Sequence, residues 1–315
     1  MSNYLNVLAL IAPVFLLLAI GMGLRWKGIL QPEAEKGIVN LVVKALYPCL
    51  IVKSMLEADS FRRQPDVLLA PVAGFATIVC GFLLAKLAAR AIGMQTGKGL
   101  RTFAFSVGIF NYGYLPIPLV ESLYGPNELA VLFMHNVGIE FAIWTIGVAL
   151  LAGGSAKDGI KKIFNPMVVA LVIGATVNFS GFASDLPDIV MTTLRLLGGC
   201  AIPLGLLAIG ANLYEYLDTK EPLWNTRDVL GGIVLRLGLL PLIGIAIAWF
   251  APLSIELKRI LVIQAAMPAG IMPIVLAKHY GGQPIVAVRI VFATTIVGFA
   301  TMPLWIHFGS LVLER

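Results

Sequence analysis

Charge is scarce in this 315-residue chain. Only 13% of its residues are Asp, Glu, Lys or Arg, against about 25% in a soluble domain. The hydrophobic set AVILMFWYC supplies 59% and the mean hydropathy is +0.91. A water-covered surface cannot be built from this composition, which excludes a soluble globular enzyme or binding module. Cysteine is nearly missing as well. Cys49, Cys80 and Cys200 each sit inside an apolar stretch with no CxxC spacing, so they read as packing residues and not as a disulfide framework. The three histidines, His135, His279 and His307, are scattered, which argues against a metal cluster. There is no Walker A loop, no HExxH and no nucleophile elbow, so neither enzyme chemistry nor a cofactor is expected. No long polar or low-complexity stretch marks an appended soluble domain. The formal charge of +6 belongs to the connectors, where it suits an anionic inner membrane surface and gives no sign of nucleic acid.

What is present is a series of apolar runs. A bilayer-crossing helix needs about 20 mostly apolar residues. That rule gives ten candidates, over 4–24, 36–56, 67–90, 101–123, 128–151, 164–183, 187–210, 228–250, 256–277 and 284–308. The first is too long for a signal-peptide core and no basic residue precedes it, so it reads as a retained span. The fold class is an all-α integral membrane protein of ten transmembrane helices, forming a single transmembrane domain over residues 1–315. Connectors after odd-numbered spans carry thirteen Lys or Arg, among them Arg25, Lys27, Lys36, Lys157, Lys161, Lys162 and Lys220. Those after even-numbered spans, with the termini, carry six: Lys53, Arg62, Arg63, Lys258, Arg259 and Arg315. The positive-inside rule puts the odd connectors in the cytoplasm and both termini outside. Asn178-Phe-Ser matches a glycosylation sequon, but it falls at a span end and such matches are common by chance.

Ten spans divide into two fives, about 1–155 and 156–315, and an odd number per half forces opposite orientations. Internal similarity supports such inverted repeats. GYLPIPL at 113–119 is followed by Tyr124-Gly125, and GIMPIVL at 270–276 by Tyr280-Gly281. ALYPCLIV at 45–52 matches GCAIPLGLL at 199–207 more loosely. Proline inside a helix removes a backbone hydrogen bond and clashes with a carbonyl. Span four gathers Asn111, Gly113, Pro116 and Pro118, and span nine Pro268, Gly270 and Pro273, with Ala269 between the first two of these. At a rise of ~1.5 Å per residue, Asn111 lies ~15 Å from Arg101 and Pro268 ~16 Å from Leu257 on the opposite side. Both breaks therefore fall near the middle of a core ~30 Å thick. Paired interruptions of this kind point to a transporter's binding site. Half-helix N-termini there suit a carboxylate, with Asn111, Tyr112 and Gly113 alongside. Gln264, one turn before Pro268, is a weaker candidate to line the site.

Ionisable groups inside spans are functional candidates by default. Glu140 is the deepest acid, ~18 Å from Glu128, and it is a candidate to carry a proton during transport or to pair with a core arginine. Asn136 lies four residues earlier on the same face, and His135 beside it reads as structural. Arg236 is deep enough to attract an anion or to pair with Glu140. Arg289, near a span end, reads as snorkelling.

Taken together, LVVKALYPCLI, FNYGYLPIPL, LGGCAIPLGLLAIGANL and AAMPAGIMPIVLAKHYGG, in this order, resemble the auxin efflux carrier family, which includes plant auxin carriers and bacterial organic-acid permeases. The resemblance covers essentially the whole chain. It implies an NhaA-like fold in which broken helices 4 and 9 cross over. It also implies a scaffold of spans 1, 2, 6 and 7 and a moving core of spans 3–5 and 8–10. It implies transport of an organic anion such as auxin, malate or malonate, with the family's crossover asparagine at Asn111 and its span-nine proline at Pro268. The family's usual glycine before the span-four proline is Leu115 here. The reading is a secondary carrier of a small organic anion in a cell membrane, the bacterial inner membrane fitting best. The sequence leaves a homodimer open. The rivals are a cation–proton antiporter or sodium-coupled symporter on the same fold, and a membrane sensor that binds without transporting.

Overall fold

The computed structural model describes residues 4–58, 68–95, 97–153, 165–217 and 226–314. Arg62, Arg63, Lys157, Lys161, Lys162, Lys220 and Arg315, all part of the charge count, lie outside these residues. The chain is helical almost throughout. Its elements are α1 (Tyr4–Trp26), α2 (Pro32–Leu41), α3 (Tyr47–Glu57), α4 (Ala70–Ala91), α5 (Lys98–Gly108), α6 (Pro116–Leu123), α7 (Pro126–Ala142), α8 (Val148–Ala152) and α9 (Pro166–Ser180). They continue with α10 (Asp188–Leu217), α11 (Thr226–Val234), α12 (Leu240–Phe250), α13 (Ile255–Ala266), α14 (Met272–His279) and α15 (Pro284–Leu313). Among the described residues, seven helices are long and apolar enough to cross a membrane. The other three expected spans take different forms. The sixth is the 15-residue α9. The fourth is split into α5 and α6, and the ninth into α13 and α14.

Several long spans contain one widened turn, and proline explains two of these. α2 and α3 form one span joined by a π turn over Val42–Leu46, directly before Pro48. α11 and α12 form another, joined over Leu235–Leu239, directly before Pro241. Proline has no N–H to give the carbonyl four residues back, and a widened turn absorbs the clash. The carbonyl that Pro241 leaves free, Leu237 O, accepts instead from the Trp305 indole N–H at 2.6 Å. In lipid such a replacement is obligatory, because no water is there to take the role.

The helices pack as two groups. α1 lies along α10, and α3 along both α9 and α10. In the second group α4 lies along α7 and α5, α13 along α7, α12 and α15, and α11 along α15. The groups meet where α1 runs beside α15 and α3 beside α7. Large apolar side chains such as Leu16, Val72, Leu83, Leu196 and Phe250 point outward and are exposed, as a lipid-facing surface requires. Asn178 is buried, with its amide donating to the carbonyls of Met55 (2.7 Å) and Ala58 (2.9 Å). It ties α9 to the C-terminal end of α3 and is not presented as a glycan acceptor.

The α4–α7 contact depends on two glycines. A Cβ on Gly74 would meet the His135 carbonyl oxygen, and one on Gly138 would meet that of Pro71. Both obstacles are backbone, so neither can move aside cheaply. Gly138→Val is therefore expected to abolish the monodisperse peak in fluorescence-detected gel filtration. Gly199→Val should leave that peak in place, because open space surrounds its Cβ position.

Candidate functional site

The two split spans are joined at their breaks. After Gly108 the backbone turns extended at Ile109 (φ −94°, ψ 113°), and after Ala266 it does so at Met267 (φ −70°, ψ 142°). Phe110 then pairs with Ala269 in an antiparallel bridge. The Asn111 N–H donates to Pro268 O at 2.8 Å and the Gly270 N–H to Ile109 O at 3.0 Å. The Ala269 N–H donates to the Thr294 hydroxyl at 3.1 Å. Proline suits position 268, where it brings no N–H of its own to satisfy. Glycine suits position 270, because a Cβ there would stand 2.8 Å from Phe110 O.

Each break ends where a half-helix begins. α6 starts at Pro116 and α14 at Met272, with proline in the first turn of both. Asn111 precedes the first of these, whose N-cap is Leu115. The Asn111 Oδ1 accepts from the Leu115 N–H at 3.3 Å, which leaves the Nδ2 donors for another partner.

A polar chain ties the breaks to the fifth span. Gln264, at the end of α13, donates to Asn136 Oδ1 at 3.0 Å. Asn136 Nδ2 donates to the Tyr112 carbonyl at 2.8 Å. The Tyr112 hydroxyl donates to Glu140 Oε1 at 2.7 Å, and the Trp144 indole N–H to Glu140 Oε2 at 2.8 Å. Glu140 is thus held by two neutral donors.

These groups border a cavity of about 800 Å³. Asn111, Tyr112, Gly113 and Gly270 form its inner end, and Asn136, Glu140 and Trp144 one wall. Tyr47 and Tyr114 stand opposite, their rings edge to face at 5.3 Å. The Tyr47 hydroxyl has no hydrogen-bond partner among the described residues. The mouth is formed by Glu35, Lys36, Asn165 and Asn212. Glu35 is engaged there with Arg25, and it accepts from Asn212 at 3.1 Å.

The expected site residues separate by position. Asn111, Tyr112, Gly113, Gly270, Asn136 and Glu140 line the cavity. Pro116, Pro268 and Ala269 are buried behind it and shape the breaks. Gln264 is wholly buried and reaches the cavity only through Asn136. His135 is wholly buried, next to Asn136 in α7, and makes no contact with Glu140 among the described hydrogen bonds.

Arg236 does not pair with Glu140. Its guanidinium donates to Ala265 O at 2.8 Å and lies 5.0 Å from the Phe110 ring centroid. It reaches the bridge from the far side and takes a carbonyl left free at the α13 C-terminus, where the helix dipole favours a cation. Arg289 does not snorkel; it pairs with Asp228 at 3.3 Å, both side chains largely buried. Residue counting missed Tyr47, Trp144, Asn165 and Asn212. The proline beside Tyr47 was a usable signal, and the others carried none.

Asn136 holds two partners at once, so Asn136→Ala strands the Tyr112 carbonyl and the Gln264 amide. A stranded buried group costs about 1–3 kcal/mol. Gln264→Leu strands only Asn136 Oδ1, which cavity water can serve. Thermal unfolding in detergent should therefore fall clearly further for Asn136→Ala than for Gln264→Leu.

Comparison with known proteins agrees with this architecture. The family model described as "Membrane transport protein" matches residues 6–306. An "Uncharacterized transporter" of Methanothermobacter thermautotrophicus is 26% identical over 297 residues, covering 93% of this chain and 95% of the relative. "Auxin efflux carrier component 8" of Arabidopsis thaliana is 21% identical over 348 residues, covering 92% and 94%. "Auxin efflux carrier component 7" of the same plant is 26% identical over 152 residues, covering 47% of this chain and 24% of the relative. The chain belongs to this family of membrane transport proteins, the auxin efflux carrier family, whose members are transporters and not enzymes.

Proposed function

We propose that this member of the membrane transport protein family is a secondary carrier of a small organic anion, working by alternating access across ten spans. One observation carries the reading: the half-helices α6 and α14 both begin at the inner end of the cavity, beside Asn111. The dipole of each half-helix turns its positive end to this point, which attracts a carboxylate, although in α6 the first-turn N–H groups are absent at Pro116 and Pro118 or taken, Ile117 donating to Gly113 O. The free Nδ2 donors of Asn111 add a directed contact. The relatives named as auxin carriers agree with a carboxylate substrate.

Packing supports two bodies moving against one another, spans 1, 2, 6 and 7 as scaffold and the other six as core. Exchanging the halves of the chain turns the pairing of spans one and seven into that of six and two. It likewise turns three with five into eight with ten, and four with ten into nine with five. All of these pairings occur, as inverted repeats with an NhaA-like crossover require. The mouth residues Glu35, Lys36, Asn165 and Asn212 lie at odd-numbered connectors, which the charge count assigns to the cytoplasm. The arrangement is thus read as inward-facing, with both termini outside. At the opposite end Lys53, on the scaffold side, reaches Glu121 of α6 at 3.0 Å, a contact that outward opening must break. The cation–proton antiporter reading needs a second acid at the breaks; Glu35, at the mouth, is engaged with Arg25.

Four measurements test the proposal. Asn111→Ala should weaken ligand-induced stabilisation by about 1–3 kcal/mol, read as the melting shift across a panel of carboxylates in detergent. Wild-type proteoliposomes should take up at least one of those carboxylates. Full stabilisation of the mutant by the transported anion would place the site elsewhere. With the three native cysteines replaced, Lys27→Cys should label from the cytoplasm and Asp185→Cys from outside. Labelling of both from one side removes the ten-span topology. Glu121→Gln should raise labelling of cysteines placed around the outer ends of α3 and α6, and an unchanged rate excludes Lys53–Glu121 as a latch.

A further inference from the structure

We infer that the cavity takes its anion together with one proton, and that the proton is held on Glu140. This deepens the anion reading above and rests on it.

The Glu140 carboxyl lies among uncharged partners. Its two oxygens accept from Tyr112 and Trp144, both neutral. Among the described residues, the neighbouring elements bring no cation to it. α9, packed beside α7, has no ionisable residue over Pro166–Ser180, and the turn Ile143–Gly147 and α8 have none either. In α4, Phe75 packs on Phe141, which puts Lys86 about 16 Å further along the helix, with Arg90 beyond it. From α3, Tyr47 faces the same cavity, while Lys53 is engaged with Glu57 and Glu121; in the turn before α3, Lys44 is exposed and is not among the residues that line the cavity. α6 contributes only Glu121, at its far end. From α13, Arg259 pairs with Glu128 at 2.6 Å, and Glu256 and Lys258 lie in the first turns. α14 carries Lys278 and His279 in its last turn. Within α7, Glu128 is taken by Arg259 and His135 makes no contact with Glu140 among the described hydrogen bonds. Arg236 is turned toward Ala265 and Phe110. Lys36 stands at the mouth, next to Glu35.

Glu140 and the arriving anion therefore share one small space with no cation between them. Tyr112 is the measure of their separation: its backbone borders the anion end of the cavity while its hydroxyl touches Glu140. Two negative charges one tyrosine apart, in a cavity walled by protein, repel several times more strongly than in water. A carboxylate beside a second negative charge is relieved by binding a proton. The proton comes from solvent through the mouth and sits on a Glu140 oxygen as O–H. Where the anion is a monocarboxylate the proton cancels its one negative charge, so the loaded core carries the same net charge as the empty one. Protonation also gives one Glu140 oxygen an O–H to donate, and the Tyr112 hydroxyl, which accepts as well as donates, is a partner that can take it. Binding is thereby communicated to the break itself.

Linkage sets the sign. If binding takes up a proton, affinity strengthens as pH falls and weakens as pH rises. The test is titration calorimetry on the full-length protein in detergent. The probe is malonate, malate or indole-3-acetate, whichever stabilises the wild type, in two buffers of different ionisation enthalpy. The expected result is uptake approaching one proton per bound anion. Affinity should fall by up to tenfold per pH unit on the alkaline side. In Glu140→Gln the uptake should vanish and the remaining binding should be flat in pH. A second measurement needs no variant: the infrared difference spectrum of wild type with and without anion should gain a protonated-carboxyl C=O band. Wild-type binding with no proton uptake, or uptake that persists in Glu140→Gln, overturns the inference and leaves the anion reading standing. No binding from the whole carboxylate panel overturns both.

Discussion

Two backbone hydrogen bonds, from Asn111 to Pro268 and from Gly270 to Ile109, are the contacts on which the rest of the site depends. An interrupted helix in a membrane releases N–H and C=O groups that lipid cannot satisfy. Here two interruptions satisfy each other. Each break supplies one donor and one acceptor, so the pair forms a two-residue bridge in an otherwise helical protein. Arg236 and Thr294 finish the accounting, the first at the Ala265 carbonyl and the second at the Ala269 N–H. The deepest cation of the eighth span is thus spent on the scaffolding of the break and is not aimed at a ligand.

Once the bridge is fixed, the cavity follows. Gly270 lets the two chains approach, and the half-helices α6 and α14 begin just past the bridge. Asn136 then locks Tyr112 by its carbonyl, and Glu140 locks it by its hydroxyl. One tyrosine is therefore held at both ends, by the same helix, between the breaks and the Glu140 carboxyl. This arrangement couples what happens at the breaks to the state of Glu140 without any large displacement of side chains.

Much of this was legible in the residues, and what was not has physical reasons. Pro116, Pro268 and Gly270 announce breaks because proline and glycine act on the backbone locally, and rise per residue then gives their height in the bilayer. That arithmetic says nothing about which way a side chain points around the helix. Arg236 and Glu140 were a plausible pair by depth, yet Arg236 reaches the bridge from the far side and is spent on Ala265. Arg289 sat near a span end, where snorkelling is the usual outcome, and its partner Asp228 lies 61 residues away in sequence. Tyr47 and Asn212 border the cavity from other spans, and one sequence holds no record of such long-range neighbours. The widened turn before Pro241 was foreshadowed by the proline, whereas the one over Ile143–Gly147 has no proline after it and no account here.

The central claim is that an anion is held where the two breaks meet. A structure of the protein with a transported carboxylate bound tests it most directly. The account places the carboxylate within hydrogen-bond distance of Asn111 Nδ2, at the positive ends of α6 and α14. A carboxylate resolved at the mouth beside Lys36, or anywhere away from the breaks, with the inner end of the cavity holding only water, would contradict it.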